Sequence, residues 1–504
     1  MVNVPGWRAG PAGRGSLVLP WVLSVLPFVV LATANSAGYR YGASDLAFYG
    51  PAVMRHLDPE LFPRDRPVID AQAHLTFMDE TVGTVARLTT THLPTLFLGL
   101  YLLTLVLLTI GISAIGASLY ERRWTVIALL AAMTLRHAIT KSGTNSLEGY
   151  FHPRQLAFAL GMLALAAFLR GRLMAAALAL CGAASLHPTT TLWLGIWLAV
   201  ATFVARPEWR LPMSVAGAAL LIAGVWTLTY GPLGGRLTLM DAPWLAALGE
   251  KDYLFPLRWP ITAWLTNVSY VVLILWLYAR RRAAGIASVR ESGLVAGCLV
   301  LAATFAVAVA LNAARVALAI QLQPARIFWM LDVMATVYVV WGLAEGSRVV
   351  RPKRPVIVAA SLIVLSVIRG AYVMRAEFPN RPLFETGVPG DWGQVAQWAE
   401  TTPKDSGWLA DPGHAARYGT SLRMAAARDV FVEGSKDAAI GMYDRGIALR
   451  TQERLARVRD FPALSAEQIR ELGGEYGLDY MVSEAALGLP LVFQSGAIRV
   501  YRIR

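Results

Sequence analysis

Long apolar runs constrain this chain more than any other feature. They recur along its first three quarters, most of them roughly 17–25 residues long, enough for a helix to cross ~30 Å of hydrocarbon. Inside a bilayer each backbone N–H and C=O must be bonded within the protein, so each run is expected to be helical. The runs fall at about 16–34, 92–118, 124–139, 155–169, 173–186, 189–205, 211–229, 260–279, 291–313, 327–345 and 355–374, which makes about eleven. Composition agrees: 56% of the 504 residues are hydrophobic, 16% are charged and the mean hydropathy is +0.49. A soluble domain carries nearer ~25% charge. The chain reads as an all-α polytopic membrane protein.

The formal charge of +13 would suit nucleic acid, but its distribution argues against that partner. The basic residues sit in short clusters between alternate apolar runs: Arg122–Arg123, Arg170/Arg172, Arg206/Arg210, Arg280–Arg282 and Arg348/Arg351/Lys353/Arg354. That pattern marks cytoplasmic connections. The other connections then share the opposite side. They are residues 35–90, residues 140–155, the His187-Pro188 turn, residues 230–259, residues 314–326 and the C-terminal tail. The stretch 313–326 also fits a re-entrant or interfacial helix. Arg8 and Arg14 precede the first run, which ends in the small residues LATANSAG of a signal-peptidase site. Its apolar stretch exceeds the 7–15 residues of a signal peptide, so a retained anchor with a cytoplasmic N-terminus is expected. Cys181 and Cys298 both lie within apolar runs, without metal-ligand spacing.

From about residue 377 the composition becomes that of a soluble domain, giving two units, 1–376 and 377–504. Asp391 is placed to cap a helix through Trp392–Glu400. GWLADP, RDVFVEG and LDYMVSE read as strands, SAEQIRELGGEYG as a capped amphipathic helix, and LPLVFQSGAIRVYRI as a hairpin turning at Ser495-Gly496. A small extracytoplasmic α/β domain is expected.

Candidate chemistry concentrates in the connections of the non-basic side. Asp45 follows the first run by about ten residues. There it can take a proton from an acceptor hydroxyl if apolar and aromatic neighbours raise its pKa. It can equally be a solvated charge or a helix cap. Asp79 and Glu80 form a second acidic pair in the same connection. Residues 140–155 add Lys141, Glu148, His152 and Arg154. A cation at the start of a span can hold a phosphate, and aromatic and arginine anchoring fits the same residues. His187 can ligate a metal, donate to a phosphate or simply begin a helix. Arg326 begins a span on the same side and is a candidate second phosphate ligand. Arg136 near a span end reads as a snorkelling side chain, and His414 and Lys436 in the C-terminal unit form no recognisable site. The chain has no P-loop, GxGxxG in a βαβ setting, CxxC, HExxH or GxSxG.

This layout resembles the GT-C superfamily of membrane glycosyltransferases. Its members have many transmembrane helices, a long first extracytoplasmic loop with an essential acid just after the first helix, and often a soluble C-terminal domain. In that resemblance Ser44-Asp45 takes the position of the first-loop acid, with Asp79-Glu80 as alternative, and Glu148 the position of a second acid. It implies a catalytic pair Asp45 and Glu148, a polyprenyl-phosphate-linked sugar as donor, and Lys141, His152, Arg154, His187 and Arg326 around the donor phosphate. The acceptor would be a glycan, lipid or protein. No DxD or ExD stands beside Asp45, so a divalent metal is left open and no cofactor is assigned. The chain is also similar to bacterial membrane proteins with an EGYFHPR-type stretch, here Glu148–Arg154, and an LHPTT-type turn, here Leu186–Thr190. A bacterial-type cytoplasmic membrane is the expected location. A transporter or lipid-handling protein ranks second, because the spans are almost free of mid-membrane charge apart from Asp332. A non-catalytic scaffold is the third reading.

Overall fold

The computed structural model describes residues 18–74, 76–231, 233–347 and 352–504. Arg8, Arg14, the start of the first apolar run and the basic residues Arg348 and Arg351 lie outside the described residues. The fold is mostly helical with a small C-terminal sheet. Among the described residues seven helices are long and apolar enough to cross a membrane, and four shorter apolar helices stand at the remaining expected runs. The chain is a multi-pass membrane protein.

The long helices pack through small residues. Leu93–Leu119 lies against Pro153–Leu169, and Pro188–Ala205 against Val289–Ala313. Gly297 lets the second pair approach, since a Cβ there would meet Trp197 Cδ1 at 2.4 Å. Trp197 Nε1 then donates to Leu294 O at 2.9 Å. Lipid gives helices no hydrophobic reason to associate, so close backbone contact and such hydrogen bonds carry the packing. Arg210–Thr229 stands apart and buries no residue.

The basic connections meet at one end of the bundle. Arg281 and Glu291 form a buried ion pair (2.5 Å), and Arg281 also donates to Leu119 O. Glu345 accepts from Arg122 N at 2.9 Å and Thr125 Oγ1 at 2.6 Å. At the other end the expected run 124–139 is helical only over Arg123–Met133. There Thr134 Oγ1 bonds Ala131 O and Ser366 Oγ, and the chain turns away. The ambiguous 313–326 stretch forms a short helix, Ala317–Gln321, and a 3-10 turn, Pro324–Arg326.

The C-terminal sheet runs Asp429–Val430, Gly407–Leu409, Leu478–Ser483, Ile498–Arg502, Leu491–Ser495. The first three strands are parallel and the last two pair antiparallel. Gly390–Glu400 covers one face with Trp392 and Val395, and Ala466–Tyr476 covers the other with Ile469 and Leu472. Ser465 opens the latter helix with a capping box. Asp391 is not the cap of the former. Pro389 holds that position, and the Asp391 carboxylate accepts from Ser495 Oγ at 2.7 Å.

Candidate functional site

The six connections of the non-basic side converge on one cavity of about 380 Å³. The first brings Asp45 and Tyr49, held where Tyr39–Arg40 pairs in parallel with Phe384–Glu385. The second brings Glu148, His152 and Arg154. The two connections touch at Gly149, where a Cβ would come 2.5 Å from Ser36 O, so only glycine admits the contact. His187 enters from its turn, Lys251 and Tyr253 from 230–259, and Arg326 from its 3-10 turn. Ser435–Tyr443 of the C-terminal unit closes the cavity. Gln321 Nε2 donates to Met442 O at 3.0 Å and Gln323 Nε2 to Tyr443 OH at 3.1 Å, which ties this cover to the Arg326 turn.

Asp45 lies between two donors. Lys436 Nζ donates to its Oδ1 at 2.7 Å and His152 Nε2 to its Oδ2 at 3.2 Å. Burial pushes the Asp45 carboxyl up, but the Lys436 charge and the His152 hydrogen bond outweigh it and hold the group well below its usual range. Its neighbours thus lower its affinity for a proton, the reverse of what a general base requires. His152 Nδ1 accepts from Arg154 N at 3.1 Å, so the neutral ring carries its proton on Nε2. Burial first, and then the Arg154 charge, push its pKa down to about 3, so it is neutral at pH 7. His187 repeats the arrangement: its Nδ1 accepts from Thr190 N at 3.2 Å, burial and the Arg326 charge keep it neutral, and Nε2 is left as a donor.

Glu148 is 5% exposed and takes Arg154 Nη2 at 3.2 Å and Asn145 Nδ2 at 3.1 Å. Burial raises its pKa, only partly offset by Arg154. Arg326 is different. It is 9% exposed, makes no ion pair among the described residues, and its Nε has no hydrogen-bond partner. Arg154 Nε is also unpartnered. Burying a guanidinium with no counter-charge costs several kcal/mol.

Of the residues expected from sequence, the cavity brings together Asp45, Glu148, His152, Arg154, His187 and Arg326. Lys141 does not line it; a turn with φ +52° sends its ammonium to Asp252. Asp79 and Glu80 lie in a separate hollow with Arg55 and His74, where burial and the neighbouring Glu80 raise Asp79 to about 6. Arg136 does not snorkel; it lies beyond its helix, lines the cavity and donates to Leu147 O at 3.0 Å. Lys436 and Lys251 carry no sequence signal of a site. A lone lysine in a soluble-type segment has no spacing that announces a partner 391 positions away.

The fold and this cavity define a multi-pass membrane protein with a partly enclosed, cation-rich chamber at one end of its helices. No protein-family model matches the chain, and no curated protein does. Among solved structures it is similar to the archaeal oligosaccharyltransferase AglB from Archaeoglobus fulgidus in complex with an inhibitory peptide and a dolichol-phosphate. The identity is 11% and the TM-score 0.45, over 92% of this chain and 69% of that one.

Proposed function

We propose that the chain is a membrane glycosyltransferase that moves a sugar from a polyprenyl-phosphate donor to a hydroxyl or amide acceptor. In this reading about eleven helices span the membrane, and the cavity and residues 377–504 lie on the extracytoplasmic side. The observation that carries it is Arg326: a buried guanidinium with no counter-charge among the described residues calls for an anionic ligand. Arg154 beside it, with a free Nε, extends the same cradle. A phosphate is the anion whose geometry suits a guanidinium fork.

The chemistry follows from the charges. Glycosyl transfer passes through an oxocarbenium-like transition state, with negative charge growing on the departing phosphate. Arg326 and Arg154 stabilise that growing charge. Asp45, ionised and 28% exposed toward the cavity, faces the positive sugar carbon and accepts a hydrogen bond from the incoming group. Its depressed pKa suits orientation and electrostatic stabilisation rather than proton abstraction, so as the C–O bond to phosphate breaks and the bond to the acceptor forms, the acceptor's proton is taken by the departing phosphate. Glu148 holds Arg154 in place.

The test is transfer of labelled sugar from a panel of polyprenyl-phosphate donors by wild type, Asp45→Asn and Arg326→Gln. Wild type is expected to transfer, with losses of about 10²–10³-fold in each variant, the range for removing one transition-state partner. Undiminished transfer in Asp45→Asn would remove that residue from the reaction. No turnover of any donor by the wild type would sink the reading.

A further inference from the structure

The charged groups and imidazoles of the cavity are lopsided in what they leave unused. Among the described residues Asp45 and Glu148 are its carboxylates, and all four of their oxygens face a donor: Lys436, His152, Arg154 and Asn145. Both imidazoles spend Nδ1 on a backbone N–H, from Arg154 and Thr190. Their remaining nitrogens are therefore protonated donors, not metal ligands. A divalent cation bound with a phosphate needs at least one or two uncommitted carboxylates or imidazole lone pairs from the protein. Among the described residues no three His, Cys, Asp or Glu side chains come together to supply them. A metal at Asp45 would also sit beside the Lys436 ammonium, 2.7 Å from the same carboxylate, and be repelled by it. What the cavity does offer is donors: the Arg326 fork, Arg154 Nε, His187 Nε2–H and Lys251, whose ammonium bonds Ser435 and, among the described residues, no carboxylate.

We propose that the cavity binds a phosphate group through these donors alone, with Arg326, Lys251 and His187 as its ligands and no divalent metal. The proposal rests on the reading above only for the identity of the molecule that carries the phosphate. The ligand set replaces a metal's two services, neutralising the phosphate and orienting it, by fixed N–H groups.

The experiment uses the full-length protein in detergent, stripped with EDTA and titrated calorimetrically with farnesyl phosphate and, separately, with inorganic phosphate. Each titration is repeated with Mg²⁺ or Mn²⁺ added. Affinity is expected to be the same with and without metal, and to fall roughly 10- to 100-fold in Arg326→Gln, the loss for a charged hydrogen-bond partner. Lys251→Met and His187→Phe are expected to weaken it by smaller factors. Arg326→Lys keeps the charge without the fork and should fall between wild type and Arg326→Gln. Tighter binding of farnesyl phosphate assigns the site to a lipid headgroup, and equal binding assigns it to a free phosphate. Binding that vanishes in EDTA and returns with metal overturns the proposal, as does absence of phosphate binding under all conditions. Metal-independent phosphate binding without any sugar transfer would leave this proposal standing and remove the transferase.

Discussion

Arg326 and His152 show how a single side chain can be costly to the fold and still be kept. Arg326 has no ion-pair partner among the described residues and its Nε is unpartnered, so Arg326→Gln removes a buried charge without orphaning an acid. The variant is expected to be at least as stable as wild type without ligand, by up to about 1–3 kcal/mol. Thermal unfolding in detergent checks this, and a clear loss of stability would mean the guanidinium has an internal partner. His152 gives a pH signature. Its pKa in the fold is about 3 against ~6.5 in an unfolded chain. Below pH ~6.5 the unfolded state takes up a proton that the folded site refuses. The stabilisation is therefore complete above that pH and is lost as pH falls, at most about 1.4 kcal/mol per unit. Between pH 7.5 and 5 the melting temperature of wild type should drop more steeply than that of His152→Gln. Equal slopes would show that the imidazole is not held neutral. At this scale the sequence was half legible. Arg154, His187 and Arg326 were visible because each opens a helix on the non-basic side. Lys141, in the same kind of loop, was misleading because the left-handed turn that redirects it leaves no trace in residue type.

At the scale of elements, the first connection and the C-terminal sheet are joined by buried charge. Arg423 is 1% exposed and sits between Asp65 at 2.8 Å and Asp437 at 2.5 Å. Asp65 also accepts from Val430 N at 2.9 Å, at the edge of the sheet. Arg423→Met removes the cation of buried Asp437 and leaves Asp65 only the partly exposed Arg450, at 3.1 Å, a loss of about 3–5 kcal/mol. It is expected to lower the melting temperature and to open residues 58–74 to limited proteolysis, while an exposed control such as Arg459→Met changes neither. The apolar runs were legible because a bilayer imposes one periodicity-free rule on them, length and hydropathy. Their ends were less so. The run at 124–139 stops at Met133 because a threonine hydroxyl finds a partner on another helix, which is information about tertiary structure. The strands and the capped helix of the C-terminal sheet were readable from local turn and cap chemistry. Their docking against Asp65 was not.

The whole molecule depends on a cover assembled from its far end. Lys436 sets the ionisation of Asp45, so Lys436→Met should let that pKa rise and move the acid limb of the pH–rate profile upward. Membrane insertion and the melting temperature should change little, since Lys436 is a partly exposed side chain. An unmoved acid limb would show that the lysine acts only as packing. The hydrogen bond between these two residues closes a sequence separation of 391 positions. The ribosome makes Asp45 391 residues before Lys436. Until the later residue emerges, a nascent chain carries its acids and its arginine cradle without the lysine that tunes them. In the proposed enzyme, a chain interrupted anywhere between the two is silent.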